Sequence, residues 1–263
     1  MTAIITLPLV PLRASDNERS EMTSQLLFGE RLEILEVRER WLQVRNLSDN
    51  YVGWSDRKMI QILPADEDLT LSPLPSYRVI VPLTVCDKTT SNETMFLPGG
   101  SLFPLTNGNE CVIGNETFRI RNFQDITTVE MVGDTLNGDT LIRLASQYLY
   151  APYLWGGKSL LGIDCSGLVQ VVFSMCGFQL PRDASEQVDC GKVIDFLSEA
   201  QAGDIAFFEN ADGKIIHVGM LLDSHTIIHA SGWVKIETID SQGIISAKTG
   251  EYTHKLRVIK RLI

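Results

Sequence analysis

The sequence has no run of lysine and arginine long enough to follow a phosphate backbone. Its 23 basic residues are outnumbered by 33 acidic ones, for a formal net charge of −10. Nucleic-acid binding relies on clustered Lys and Arg, so that class is excluded and the expected partners are small or cationic. Also missing is any apolar stretch near the roughly 18 residues of a membrane span, so no membrane partner is expected. Five cysteines, Cys86, Cys111, Cys165, Cys176 and Cys190, form an odd set without a tight pairing pattern, which excludes a disulfide framework and leaves at least one thiol free. The N-terminal "MTAIITLPLVPLRASDNERSE" lacks a basic leader segment and carries prolines within its apolar part, so it reads as a first strand. The expected location is therefore cytoplasmic, or periplasmic or extracellular if a leader has been removed. Histidine is scarce as well: His217, His225, His229 and His254 are the whole supply of imidazole bases.

The sequence is 44% hydrophobic, enough to build real cores in a chain of 263 residues. Residues 1–66 contain the short alternating runs "RLEILEV", "WLQVRN" and "YVGWSD" between polar turns, which predict a small β-barrel. The Pro-, Asp- and Ser-rich "PADEDLTLSPLPSYRVIVP" reads as a linker into a second short-strand region over 67–131. A weak internal repeat pairs Gly29, Leu32 and Leu35 with Gly99, Leu102 and Leu105. The texture changes over 132–263. "GDTLIRLASQYLYAP" places Leu141, Leu144, Ala145, Tyr148 and Leu149 on one helical face, with Asp139 as N-cap and Pro152 beyond the end. A second, buried helix is predicted from Asp164 to Gly177, and the rest reads as strands of an antiparallel sheet, giving an α+β domain.

"GGKSLLGIDCSGLVQ" places Cys165 directly after the capping Asp164. Unpaired amides and the positive end of a helix dipole there favour a thiolate and can cradle an oxyanion. Of the histidines, His217 and His229 lie equidistant from Asp223 in two apolar strands, so a tight hairpin sets them near one another on one face, each neutral and ready to accept a proton. His225 falls in the turn and His254 in a polar stretch near the end, and neither is given a role. A buried structural cysteine and satisfied core histidines are the bland alternative. Zinc is disfavoured because no C-x-x-C or H-x-x-x-H pair accompanies these residues, so no metal or cofactor is expected. Cys176 and Cys190 are read as structural.

"YLWGGKSLLGIDCSGLVQ", "LPRDASEQ", "AGDIAFF", "HVGMLL" and "IIHASG" together resemble the NlpC/p60 cysteine peptidases, over residues 134–263. The resemblance implies a circularly permuted papain-like catalytic domain, preceded here by two small all-β SH3-like barrels. It also implies Cys165 as nucleophile, His217 as base, His229 as the group orienting it, and Tyr153 as an aid to oxyanion binding. The subgroup it points to is the γ-D-glutamyl-L-diamino acid endopeptidases, which act on cell-wall peptides with a free N-terminal L-Ala. By that resemblance Glu21, Tyr51 and Asp164 would receive the alanine ammonium, and Ser166, Arg182 and Asp183 would hold the D-Glu carboxylate and neighbouring backbone. Ala184 stands where some relatives have serine, a bond that Ser185 would supply. The expected protein is a monomeric peptidase working on a peptidoglycan-derived peptide, in recycling. The alternatives are a secreted wall hydrolase of the same chemistry and a non-catalytic wall-peptide binding module.

Overall fold

The computed structural model describes residues 1–64, 76–104, 108–128 and 137–263. The linker expected from residue 65, Leu105 of the repeat and the joint expected at 131–132 lie outside the described residues. The chain forms two compact units, Met1–Val132 and Gly133–Ile263.

The first unit opens with strands β1 (Thr2–Ile4), β2 (Leu9–Arg13), β3 (Met22–Leu27), β4 (Arg31–Val37), β5 (Trp41–Asn46), β6 (Val52–Asp56) and β7 (Gln61–Ile62). They pair in the order β3-β2-β6-β5-β4-β1-β7. Period-two alternation turns Leu32 and Ile34 of β4 and Leu42 and Val44 of β5 inward, onto Ala3, Ile5, Val10, Leu12 and Leu26. Seven further strands follow: β8 (Ser76–Val79), β9 (Leu83–Lys88), β10 (Glu93–Pro98), β11 (Leu102–Pro104), β12 (Glu110–Ile113), β13 (Glu116–Ile120) and β14 (Ile126–Thr128). They form a four-stranded sheet β10-β9-β13-β12 and a three-stranded sheet β11-β8-β14. Ile4, Phe28 and Leu63 share one core with Val79, Leu97, Phe103 and Phe118 of this second region.

The internal repeat is present as a backbone motif, one residue away from the expected alignment. Gly29 (φ 78°) donates to the Ile5 carbonyl and Ile5 accepts and returns a bond across to Glu30. Gly100 (φ 85°), not Gly99, does the same with Val79 and Ser101. Both glycines occupy the left-handed region that a side chain disfavours, so conformation and not letter matching sets the equivalence. Leu32 then corresponds to Phe103, and both are fully buried.

The second unit begins with helix α1 (Gly138–Ser146). Its N-cap is Asn137, whose side chain accepts from the Thr140 amide at 2.9 Å, and not Asp139 as expected. Asn137 has the extended backbone a cap requires, while Asp139 lies inside the first turn, where its charge faces the positive helix end. Strands β15 (Lys158–Ser159) and β16 (Gly162–Ile163) lead into helix α2 (Cys165–Met175), capped by Asp164 and closed by Gly177 at φ 84°. All of α2 but Ser174 is buried, so its β-branched Val169, Val171 and Val172 are held helical by packing against their propensity. A short helix α3 (Ala184–Gln187) follows.

The sheet of this unit comprises β17 (Lys192–Ile194), β18 (Ile205–Glu209), β19 (Ile215–Leu221), β20 (Thr226–Ser231), β21 (Trp233–Ile239), β22 (Gly243–Ile245) and β23 (Tyr252–Arg261). Its order is β17-β23-β18-β19-β20-β21-β22, and β22 also pairs with β23, so six strands close on themselves. Helix α2 packs on β19 and β20, the two histidine-bearing strands. Among the described residues no helix is long and apolar enough to cross a membrane.

Candidate active site

Asp164 organises the start of α2. Its Oδ1 accepts from the Gly167 amide at 2.7 Å and its Oδ2 from the Gly156 amide at 2.8 Å, so the cap ties the helix to the glycine loop ahead of it. Arg182 completes the set from the other side, with Nη2 2.6 Å from Oδ2 and Nη1 3.1 Å from Oδ1. Arg182 Nη1 also donates to Ser166 Oγ at 2.9 Å. Asp164, Ser166 and Arg182 are all buried, Arg182 almost completely. The expectation treated Asp164 as a ligand for an ammonium and Arg182 as a ligand for a carboxylate. The structure joins them to each other as a bidentate ion pair, because burial leaves each charge in need of an opposite one. Gln187 Nε2 fastens α3 to this cluster through the carbonyls of Ser166 (3.1 Å) and Pro181 (2.9 Å). Asp183 is half-buried at the α3 N-cap, whereas Ser185 is exposed on that helix, outside the buried cluster.

Cys165 follows the cap and is 7% exposed. Burial pushes its thiol up to about 11, the Asp164 carboxylate adds to the rise, and the amides of Val218 and Ser166 and the Arg182 charge work against it. This corrects the sequence expectation of a resting thiolate: desolvation and an adjacent carboxylate outweigh the helix N-terminus. Cys165 is therefore held as a thiol near neutral pH, and a nucleophilic role would call for a base to take its proton. Of the two amides directed at its sulfur, one belongs to Val218, the residue next to His217. Tyr153 lies close enough for its phenol to feel the Cys165 and Asp164 charges. Burial first, then those charges, raise it to about 12, so it keeps its proton and can donate.

The histidines meet across the ladder on one face, as expected, in a diagonal relation. Met220 pairs with Ile228 and Leu221 with Ile227, a register that sets His229 opposite Gly219 and diagonal to His217. A side chain at 219 would begin 2.9 Å from the His229 Cβ, and its absence gives His229 the room to reach along the strand. His217 Nε2 and His229 Nδ1 are 2.9 Å apart, and His229 Nε2 is 2.9 Å from Glu237 Oε2. Burial tends to raise Glu237, but the Ala247 amide, His229 and Lys235 outweigh it and hold it below the usual carboxylate range. Lys235 Nζ is 3.2 Å from the same oxygen.

These contacts fix the direction of the proton chain. A Glu237 carboxylate accepts, so His229 carries its proton on Nε2. Its bare Nδ1 then accepts from His217 Nε2–H, which leaves Nδ1 of His217 as a free lone pair. Burial lowers His229 to about 4 and holds His217 well below its ordinary value, helped by the neighbouring His254, His229 and Lys235, so both rings are neutral near neutral pH. Sequence reasoning missed Glu237. The signal available was its place on the strand after His229, two residues past Lys235, which the ladder puts directly across from His229.

His254, set aside from the sequence, belongs to this cluster. Its ring stacks on that of His217, with centroids 4.1 Å apart and planes at 26°. His217, His229 and His254 bring ring nitrogens within 4.8 Å of one another. Near-parallel stacked rings aim their in-plane lone pairs along parallel sheets, and one nitrogen of His217 is already bonded to His229, so the arrangement suits a stack better than a shared ion. Glu21 is exposed ahead of β3 and Tyr51 is half-buried against the first core, both within the first unit.

The NlpC/P60 family matches residues 150–253, a span that contains Tyr153, Asp164, Cys165, His217, His229 and Glu237. The bacterial dipeptidyl-peptidase Sh3 domain matches residues 12–58. The chain carries an NlpC/P60 domain. Its fold is the NlpC/P60 fold with an N-terminal SH3-like domain. The crystal structure of an NlpC/P60 family protein from Bacillus cereus aligns over 100% of this chain and 99% of its own, with a TM-score of 0.85 at 19% identity. Among curated relatives, the γ-D-glutamyl-L-lysine dipeptidyl-peptidase of Bacillus subtilis is 27% identical over 221 residues, covering 79% of this chain and 71% of that protein. The dipeptidyl-peptidase 6 of Lysinibacillus sphaericus is 25% identical over 266 residues, covering 92% and 93%.

Proposed function

We propose that this protein is a cysteine peptidase that hydrolyses the bond between γ-D-glutamate and the following L-diamino acid in cell-wall peptides with a free N-terminal L-Ala. The observation that carries the reading is the buried chain from His217 through His229 to Glu237, with the amide next to His217 directed at Cys165. The dipeptidyl-peptidase relatives support the substrate class.

Cys165 attacks the carbonyl carbon as His217 Nδ1 removes the thiol proton: the C–S bond forms, the carbonyl π pair moves onto oxygen, and His217 becomes an imidazolium. The new oxyanion is received by donors at the start of α2 and by the protonated Tyr153 phenol. Collapse expels the diamino acid amine, which takes the proton from His217, and leaves a thioester. Water, deprotonated by the same nitrogen, then attacks the thioester; the C–S bond breaks, the Cys165 sulfur takes the proton back from His217, and L-Ala-γ-D-Glu is released. His229 and Glu237 hold the base in the required tautomer throughout.

In this reading Glu21 and Tyr51, both inside the stretch matched by the bacterial dipeptidyl-peptidase Sh3 domain, take part in recognising the alanine amine. The second β region is a further SH3-like barrel, an assignment supported by the Gly29 and Gly100 turns that share one hydrogen-bond pattern. The catalytic unit is a permuted papain-like domain. The cellular role proposed is recycling of wall peptides in the cytoplasm by a monomer. The test is incubation with L-Ala-γ-D-Glu-diaminopimelate and its L-Lys counterpart, with Cys165→Ala as control. Release of L-Ala-γ-D-Glu that disappears in the variant, a loss on the order of 10⁶-fold for a missing nucleophile, is expected. Cleavage of intact peptidoglycan but not of free peptides would favour a wall hydrolase instead, and retained turnover in the variant would remove Cys165 from the mechanism.

A further inference from the structure

His254 lies one residue beyond the matched NlpC/P60 region and takes no part in the proton chain, yet it makes the closest ring contact of the base. Phe208 borders both rings, 5.7 Å from His217 and 6.0 Å from His254 by centroids. The His229 ring stands at 5.1 Å from His217 and 5.7 Å from His254, nearly perpendicular to each. The base is thus enclosed by three rings, of which only His254 covers its face. Strand β23 delivers that ring: His254 pairs with Ile244 of β22, and the β18 ladders to β19 and β23 are both irregular at Phe208. His254 Nδ1 is 2.9 Å from Thr253 Oγ1, which steadies the ring in its stack.

We propose that His254 is a positioning residue for the catalytic base: its neutral ring clamps His217 in plane, and its protonation shuts the base off. This inference rests on the reading of His217 as the base. During thiol attack His217 becomes an imidazolium, and a neutral aromatic face at 4.1 Å favours that charge. A protonated His254 at the same distance opposes it, because like charges in a site of low polarity repel strongly. The groups facing His254 define the balance. From β19 there is His217, from β20 His229, and from β21 Lys235, which opposes protonation, and Glu237, which favours it. Strand β18 contributes Phe208 at this position, and its Glu209 is committed to Lys255 and Arg257; β22 contributes only Gly243, Ile244 and Ile245. Burial, the largest influence, keeps His254 below its ordinary value and so neutral near neutral pH.

The experiment compares wild type with His254→Phe, which keeps a ring without a titrating group, and His254→Gln, which keeps polarity without a ring. Imidazole nitrogen resonances are followed by NMR from pH 4 to 8, and kcat/KM for L-Ala-γ-D-Glu-diaminopimelate is measured over the same range. In wild type the His217 nitrogens should shift as His254 takes up its proton, and the acid limb of kcat/KM should fall at that same pH. In both variants that step should vanish and the acid limb should move down by about one pH unit or more, the scale of a neighbouring like charge. His254→Gln should also lose turnover at every pH, because the face of the base is uncovered. An acid limb unmoved in both variants, or a His254 titration to which His217 does not respond, overturns the proposal. If no form of the enzyme cleaves the peptide, the functional reading falls, while the NMR coupling still decides whether His254 gates His217.

Discussion

At the scale of single residues, the site depends on polar groups whose burial is compensated by one specific partner. Glu237 is the fixed point of the proton chain: its carboxylate decides which nitrogen of His229 holds hydrogen, and through it which nitrogen of His217 is free. Glu237→Gln removes the charge and offers one acceptor oxygen where two are in use, by His229 and by the Ala247 amide. The histidine chain then loses its preferred direction. A fall in kcat on the order of 10² to 10⁴-fold with little change in KM is expected, the size seen when the orienting member of a catalytic triad is neutralised. Steady-state kinetics on a free wall peptide read it directly, and an equal rise in KM would show that Glu237 acts on binding instead. Arg182→Met tests the other buried pair. It leaves the Asp164 carboxylate without its countercharge beside the helix start, and removing one partner of a buried pair costs about 3–5 kcal/mol. Chemical denaturation should show that loss, whereas a neutral result would mean that Asp164 finds other compensation.

At the scale of elements, the strands place the site more exactly than the letters do. The diagonal relation of His217 and His229 depends on a bare Gly219 between their reaches. In Gly219→Ala the new Cβ would stand 2.7 Å from Ile227 Cδ1 and 2.9 Å from His229 Cβ, and the histidine strand would have to yield. A methyl overpacked into a tight core costs about 1–3 kcal/mol. The His217–His229 bond should lengthen with it, so turnover should drop about tenfold or more while the protein still folds, checked by activity beside a melting curve. This element also shows what was legible in advance. Helix α2 could be read because Asp164 and Gly177 mark both its ends, although its valines favour a strand. The histidine hairpin could be read to within its register, because Asp223 marked a turn but not the pairing on either side of it. His254 could not be read: its neighbours are set by β23 pairing with both β18 and β22 and by irregular ladders at Phe208, and none of these leaves a period in the sequence. The Asp164–Arg182 pair was hidden for the same reason, since 18 residues separate its members and each carried a plausible separate role.

At the scale of the whole molecule, acidity acts on both stability and selectivity. His217, His229 and His254 are all held below their ordinary values in the fold, with burial as the leading cause. An unfolded chain binds protons on these rings near pH 6.5, and the folded chain does not until lower pH. Stability from them is therefore complete above the unfolded value and is lost as pH falls below it; His229 alone, at about 4, accounts for a loss of about 3 kcal/mol by that pH. Denaturation midpoints at pH 7.5, 5.5 and 4.5 should fall in that order, and a flat series would mean that the imidazoles are not buried neutral. The net charge of −10 bears on the substrate. A peptide with a free L-Ala amine brings a cation to an acidic protein, and the proposed contact at Glu21 makes that cation a criterion for turnover and not only an attraction at long range. Asp164 is committed to Arg182 and two amides, so Glu21 is the carboxylate whose removal should matter most to the amine. Acylating the amine deletes the charge that Glu21 is proposed to receive. Because Glu21 is exposed, the pair is worth up to about 1 kcal/mol, a drop in kcat/KM of up to about fivefold. Glu21→Ala should slow the free-amine peptide by much of that factor and the acylated one hardly at all. Raising ionic strength separates this from general attraction, since screening weakens only the long-range part. Equal slowing of both peptides by Glu21→Ala, or equal rates on both in the wild type, would leave the amine unrecognised and the SH3-like domain with a different role.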